Sequence, residues 1–303
     1  MPELPDLTLY LEALAGRLIG RPIERIRLAS PFLLRTVDPL LSEAEGKVVR
    51  GLRRLGKRIV VELDGQRFLV VHLKIAGRLH WKEHGARIPG KVGHAAFDFP
   101  NGTLLLTESS TRKRASLHFI VGEAALMSLD PGGLEVMSAS ADEFRSALQR
   151  ENHTLKRALT DPHLFSGIGN AYSDEILHRA QLSPLKLSGR LADAEVARLF
   201  DATRGTLQEW IDRLRRRHGD SFPEKVTAFR EEMAVHGKFG KPCPVCRTPI
   251  QRIVYAENEC NYCPRCQTEG KVLADRSLSR LLKDDWPKTV DELEERLHVP
   301  HDR

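Results

Sequence analysis

A proline at position 2 and a carboxylate at position 3 open the chain as Met1-Pro2-Glu3-Leu4-Pro5-Asp6. Removal of Met1, which a small second residue permits, would turn Pro2 into a secondary amine. A free α-amino group titrates at about 8, so that amine is a competent nucleophile near neutral pH. An internal proline nitrogen has no such reactivity. Glu3 beside it has the chemistry to move protons. A plainer reading stays open for both: proline often follows an initiator methionine, and an acid at a helix start is favoured by the helix dipole.

A second constellation lies far along the chain. Cys243-Pro244-Val245-Cys246 and Cys263-Pro264-Arg265-Cys266 enclose 16 residues. Two Cys-x-x-Cys knuckles at this separation bring four thiolates around one Zn²⁺, with the intervening chain closing as a hairpin from Pro249 to Tyr262. Four cysteines leave no open coordination position, so the expected ion is structural, and Cys260 is expected to be an unliganded thiol. A disulfide framework fits poorly in a chain expected to be cytosolic.

A third feature is charge. Lysine and arginine exceed aspartate and glutamate by 47 to 41, a net +6. That balance is mild, but it is concentrated in Arg53-Arg54-Leu55-Gly56-Lys57-Arg58, Arg112-Lys113-Arg114 and Arg213-Leu214-Arg215-Arg216-Arg217-His218. Gathered on one face, such clusters form a phosphate-binding footprint; taken singly, each reads equally as a solvated face. No stretch approaches the length of a membrane span, and the acidic start is not a secretory signal, so a cytoplasmic protein is expected.

The elements that must position these residues follow from periodicity. Leu7, Leu11, Leu14 and Leu18 after Pro5-Asp6 predict a helix stopped at Gly20. From Ile23 to Val121 short alternating runs such as Ile59–Leu63, Phe68–Leu73 and Ala95–Phe99 predict strands, with Asn101-Gly102 as a hairpin turn. Asp130-Pro131-Gly132-Gly133 punctuates the chain. Helices are then predicted over Asp142–Arg150, Thr154–Thr160, Ala171–Ala180 and Asp193–Arg217. The tail should hold one or two helices, the second opening at Thr289-Val290-Asp291-Glu292 as a capping box. The expected fold is α+β and multidomain. A β-sandwich domain (1–130) is followed by a helical domain (131–235), a zinc finger (236–270) and a helical extension (271–303).

The opening Met1–Asp6, the segment Gly167-Ile168-Gly169-Asn170-Ala171-Tyr172-Ser173-Asp174-Glu175 and the C-terminal four-cysteine finger together resemble the formamidopyrimidine-DNA glycosylase/endonuclease VIII family. The resemblance spans residues 1–270. It implies a sandwich followed by a helix-two-turn-helix and a zinc finger. It further implies base excision repair of damaged DNA, with an oxidised base excised through a Schiff base on Pro2 and the strand then cut by β/δ-elimination. On this basis Pro2, Glu3 and Lys57 are the catalytic candidates, Glu3 as the proton donor. Lys57, His72, Ile75, Arg112, Lys156, Asn170 and Asn258 are the DNA-binding candidates. Cys243, Cys246, Cys263 and Cys266 are the zinc ligands. The expected partner is damaged DNA, duplex or single-stranded, bound by a monomer.

The chain also departs from the family pattern. Asp6 stands where a Glu is usual, Ile75 where a methionine wedges into the DNA, and Asn258 where the finger presents an arginine. The segment Thr107–Ala115 lacks the aromatic half of an Arg-Phe pair. These changes spare the catalytic pair and alter the groups that hold DNA. They imply a substrate other than 8-oxoguanine opposite cytosine: oxidised pyrimidines, single-stranded DNA or abasic DNA. Two other functions compete: a non-catalytic damaged-DNA-binding protein of the same fold, and a zinc-finger protein-interaction module.

Overall fold

The computed structural model describes the chain except residues 225, 228, 256–257, 275–279, 282–285 and 299–303, and the side chains of 255, 258, 294 and 296–298. Two units are resolved: residues 1–133 with 208–228, and residues 134–207 with 229–303.

In the first unit the helix predicted from the leucine spacing is α1 (Leu4–Leu18), with Pro5 in its first turn. Eight strands follow: β1 (Arg25–Leu28), β2 (Val49–Leu55), β3 (Arg58–Leu63), β4 (Arg67–His72), β5 (Gly77–Lys82), β6 (Gly93–Phe99), β7 (Gly102–Glu108) and β8 (Ser116–Val121). They form two antiparallel four-stranded sheets, ordered β1-β6-β7-β5 and β2-β3-β4-β8. The Asn101-Gly102 turn joins β6 to β7, with Phe99 opposite Gly102.

Alternation sets which side chains face inward. Ile59, Val61, Leu69, Val71, Leu117 and Phe119 of one sheet share a buried core with Leu79, Ala95, Phe97, Leu104 and Leu106 of the other, and Leu7, Tyr10, Leu14 and Leu18 of α1 join it. The sandwich predicted from the sequence is therefore present. The opposite face of the β2-β3-β4-β8 sheet carries a smaller cluster, in which Val60, Phe68, Val70 and Ile120 pack with Leu126 of α2 (Glu123–Met127). Residues 208–228 belong to this unit: Phe222 lies 5.9 Å from Tyr10, Val226 enters the core, and Glu224 accepts from Lys82 at 2.6 Å.

The second unit is helical. It contains α3 (Ala141–Gln149), α4 (Leu155–Thr160), α5 (Asn170–Ala180) and most of α6 (Asp193–His218), the division falling within α6 after Leu207. Ser140 caps α3 and exchanges hydrogen bonds with Glu143. A hairpin, β9 (Gln251–Tyr255) and β10 (Asn258–Tyr262), is followed by α7 (Pro264–Thr268). The last helix is α8 (Val290–His298), where Glu292 N–H donates to the Thr289 hydroxyl as the capping pattern predicts. The other helix expected in the tail falls on residues outside the described ones. Among the described residues no helix is long and apolar enough to cross a membrane.

Candidate active site and zinc centre

Pro2 and Glu3 lie immediately before α1, and both are buried, Glu3 to 2% exposure. Glu3 N–H donates to Asp6 Oδ2 at 3.0 Å, so Asp6 fixes the backbone of the residue that the sequence marks for proton transfer. Burial holds the Met1 amino group below its ordinary 8.0. Glu3 opposes that shift, Arg78 adds to it, Asp6 opposes it, and Lys57 adds to it. Two carboxylates and two cations therefore share the field of the N-terminus. Arg78, which the sequence did not single out, also donates to the carbonyl of Gly77 at 2.6 Å.

Lys57 sits in the tight turn between β2 and β3, where Gly56 takes a positive φ of 58°. His72 ends β4, and burial, reinforced by Lys74, Arg58, Lys57 and His118, drives its pKa down to about 3. The imidazole is neutral at physiological pH. Ile75 stands 54% exposed in the turn that leads into β5. That turn closes through Gly77 N–H to the Leu73 carbonyl at 2.9 Å, so tightly that a Cβ on Gly77 would lie 2.3 Å from the Leu73 oxygen.

Arg112 lies exposed in the loop between β7 and β8. Glu108, 1% exposed, organises that loop: its carboxylate accepts from the Arg114 amide at 3.0 Å and the Ala115 amide at 3.1 Å. His94 Nε2 lies 3.1 Å from the same carboxylate. The composition of the loop was visible in sequence; the carboxylate that holds its base was not.

In the second unit, Asn170 opens α5 with Gly169 at its cap, the helix start expected for an anion contact. Lys156 is 3% exposed and its ammonium points inward. It donates to the Asn170 carbonyl at 2.7 Å, Ser173 Oγ at 2.8 Å and Asp174 Oδ1 at 2.5 Å. Asp174 Oδ2 meets His236 Nδ1 at 2.8 Å and the Asn261 amide at 3.2 Å. Burial alone would raise the Asp174 pKa, but Lys156 and His236 outweigh it and hold the carboxyl below its ordinary value. Glu175 accepts from the backbone amides of Ala234, Val235 and His236 at 2.8 to 2.9 Å. Two adjacent acids on α5 thus tie the helix to the segment entering the finger and to its hairpin. Asn258 opens β10 opposite Tyr255, and its side chain lies outside the described residues.

The sulfurs of Cys243, Cys246, Cys263 and Cys266 all lie within 4.8 Å of one another. A tetrahedron of ~2.3 Å Zn–S bonds has sulfur edges of about 3.8 Å; Cys243–Cys266 measures 3.9 Å and Cys246–Cys263 3.3 Å. The donor set fits one structural zinc ion. His178 Nε2 on α5 lies 3.3 Å from Cys243 Sγ, a hydrogen bond that would orient the thiolate. Cys260 is outside the quartet, 2% exposed and packed with Ile253 and Tyr262.

A two-sheet sandwich opening on Pro-Glu, with a helix-two-turn-helix unit carrying a four-thiolate finger, defines a narrow class of protein, and comparison with known proteins agrees with it. The formamidopyrimidine-DNA glycosylase N-terminal domain matches residues 1–116, the H2TH domain of the same glycosylases residues 130–218, and the zinc finger found in FPG and IleRS residues 240–268. A formamidopyrimidine-DNA glycosylase of Heliobacterium modesticaldum is 35% identical over 281 residues, spanning 88% of this chain and 100% of the relative. An uncharacterized formamidopyrimidine-DNA glycosylase-like protein of Mycobacterium tuberculosis is 39% identical over 151 residues, covering 50% of this chain and 94% of that protein. Among solved structures, the Lactococcus lactis Fpg in complex with an abasic site containing DNA superposes with a TM-score of 0.76 at 27% identity, over 88% of this chain and 99% of that one. The chain belongs to the formamidopyrimidine-DNA glycosylase family.

Proposed function

We propose that this chain is a bifunctional DNA glycosylase and AP lyase of base excision repair, with Pro2 as nucleophile. The observation that carries the reading is the environment at the start of α1. Pro2 and Glu3 are buried there, Asp6 pins the Glu3 backbone, and Arg78 and Lys57 bring positive charge, with Glu3 and Asp6 bringing negative charge, to the start of the chain. The relatives named as glycosylases and the solved complex with abasic-site DNA support the same substrate class.

After loss of Met1, the Pro2 nitrogen attacks C1′ of the damaged nucleotide. The N-glycosidic bond breaks and the base leaves, while Glu3 protonates the ring oxygen as the sugar opens. The resulting iminium acidifies the C2′ proton, whose removal expels the 3′-phosphate by β-elimination; δ-elimination at the 5′ side follows. Lys57, His72 and Arg112 in the first unit, and Asn170 and Asn258 in the second, hold the DNA, with Ile75 as the wedge. Lys156 serves by fixing the turn at Asn170. The chain acts as a cytoplasmic monomer built of the four segments 1–130, 131–235, 236–270 and 271–303. The replacements at Ile75, Thr107–Ala115 and Asn258 direct it to oxidised pyrimidines, single-stranded or abasic DNA.

The test is incubation of the processed protein with abasic-site and lesion-bearing oligonucleotides, with and without borohydride. Strand cleavage and a covalent adduct support the reading. DNA binding with neither identifies a damage-binding protein that retains the fold, and a strong preference for duplex 8-oxoguanine opposite cytosine overturns the substrate assignment.

A further inference from the structure

The even-numbered face of the β2-β3-β4-β8 sheet changes character along its length. Val60 pairs with Val70 and Val70 with His118, while His72 pairs with Ser116. Toward one end this face is the apolar cluster around Val60, Phe68 and Ile120. Toward the other, alternation places Arg58 of β3, His72 of β4 and His118 of β8 on the same side of adjacent strands. Each has a buried nitrogen with no hydrogen-bond partner among the described residues: Arg58 Nε, His72 Nε2 and His118 Nδ1.

Two further cations border them. Lys74 follows β4 with its backbone held at a φ of 52°. The Arg35 amide donates to the Leu117 carbonyl at 2.8 Å, which sets Arg35 beside His118. Burial lowers the pKa of Lys74, and Arg58, Arg114 and Arg35 lower it further. Burial likewise lowers His118, as do Arg58 and Arg35, against the pull of the Val70 carbonyl. Burial lowers Arg58, and there an acid, Asp130, opposes the shift. Half-buried cations that depress one another are an unfavourable arrangement, and an anion supplied from outside relieves it.

We propose that Arg58, Lys74 and His118, with Arg35 at the rim, form a second phosphate site beside the Lys57–His72 pair, binding one further phosphodiester of the DNA strand. This rests on the DNA-binding reading above. A phosphodiester supplies acceptors for the orphaned nitrogens and negative charge beside cations of which Arg58 has Asp130 in its field. His72, neutral when free, lies at the border between the two sites.

The experiment measures affinity by fluorescence anisotropy for duplex and single-stranded DNA carrying a stable abasic analogue, across a salt series. The variants are Arg58→Ala, Lys74→Ala and their double, with Arg50→Ala, an exposed arginine paired with Asp64, as the charge-matched control. Loss of one phosphate contact lowers the log–log salt slope by about 0.9 and weakens binding roughly threefold to tenfold. The double variant is expected to show both, and Arg50→Ala neither. A neutral methylphosphonate is then walked along the lesion strand. At one position it should weaken the wild-type protein and leave the double variant unaffected. Unchanged slope and affinity in folded variants, or additive losses at every methylphosphonate position, overturn the second site. Failure of the wild-type protein to bind DNA at all sinks the DNA reading itself, which is a separate outcome.

Discussion

Replacing Lys156 with methionine removes the ammonium from an almost fully enclosed charge pair in the second unit. Its partner Asp174 has a fully buried side chain and lies 2.5 Å away, and the substitution also removes one hydrogen bond each from Ser173 Oγ and the Asn170 carbonyl. Breaking a buried pair by removing one member costs roughly 3–5 kcal/mol, because the remaining charge stays buried, here with His236 and the Asn261 amide on its other oxygen. At about 2–4 °C per kcal/mol for a unit of this size, the melting transition of that unit should fall by about 6–20 °C. The pH dependence supplies a second signature. The Asp174 pKa is depressed in the folded protein, so its contribution is present above the ordinary carboxylate value of 3.8 and is lost as pH falls through the folded value. Without Lys156 that folded pKa rises, the variant takes up its proton earlier, and the gap to wild type narrows on acidification. Urea denaturation of both proteins between pH 7 and pH 4 measures this. A loss below about 1 kcal/mol, the scale of an exposed ion pair, together with a gap that does not change with pH, would refute the buried pair. A lowered salt slope for DNA binding without destabilisation would instead return Lys156 to the phosphate contacts.

Purified protein should contain one zinc per chain, and Cys243→Ser should lose it and unfold the cluster of Val235 and Ile250 packed on the cysteines, read by zinc titration and near-UV circular dichroism. His178→Phe should keep the fold and release zinc to a chelator faster; an unchanged release rate would remove His178 from the metal site. Glu108→Ala should free the Arg114 and Ala115 amides, raising their hydrogen exchange by at least tenfold, the equivalent of about 1.4 kcal/mol. His72 should remain neutral in the free protein through pH 5, and an NMR titration midpoint between pH 6 and 7 would contradict its burial among cations.

Much of this was legible in the sequence because it depends on local periodicity or fixed spacing. Leucines at helical intervals give α1, alternation and Asn101-Gly102 give the β6–β7 hairpin, and Cys-x-x-Cys pairs give the metal site. What the sequence hid depends on register and on long-range burial. Nothing local distinguishes Lys156 from a surface lysine; only its 3% exposure and the meeting of α4 with α5 turn its ammonium inward. Nothing local marks Glu108, at the end of β7, as buried; the loop folds back so that two amides reach its carboxylate. Arg58, His72 and His118 are separated by tens of residues and share a face only once the pairing of β3, β4 and β8 is set. Phe222 and Val226 lie beyond a long helix, where no short-range pattern assigns them to the sandwich core.

The central claim is that the nitrogen of Pro2 forms the bond to the sugar. Its most direct test is mass-spectrometric mapping of the borohydride-reduced adduct between the processed protein and abasic-site DNA. The account predicts the sugar remnant on the N-terminal peptide at Pro2, with none on the peptide containing Lys57. An adduct on a lysine, or an undiminished adduct when Met1 is retained and the Pro2 nitrogen stays acylated, would contradict it.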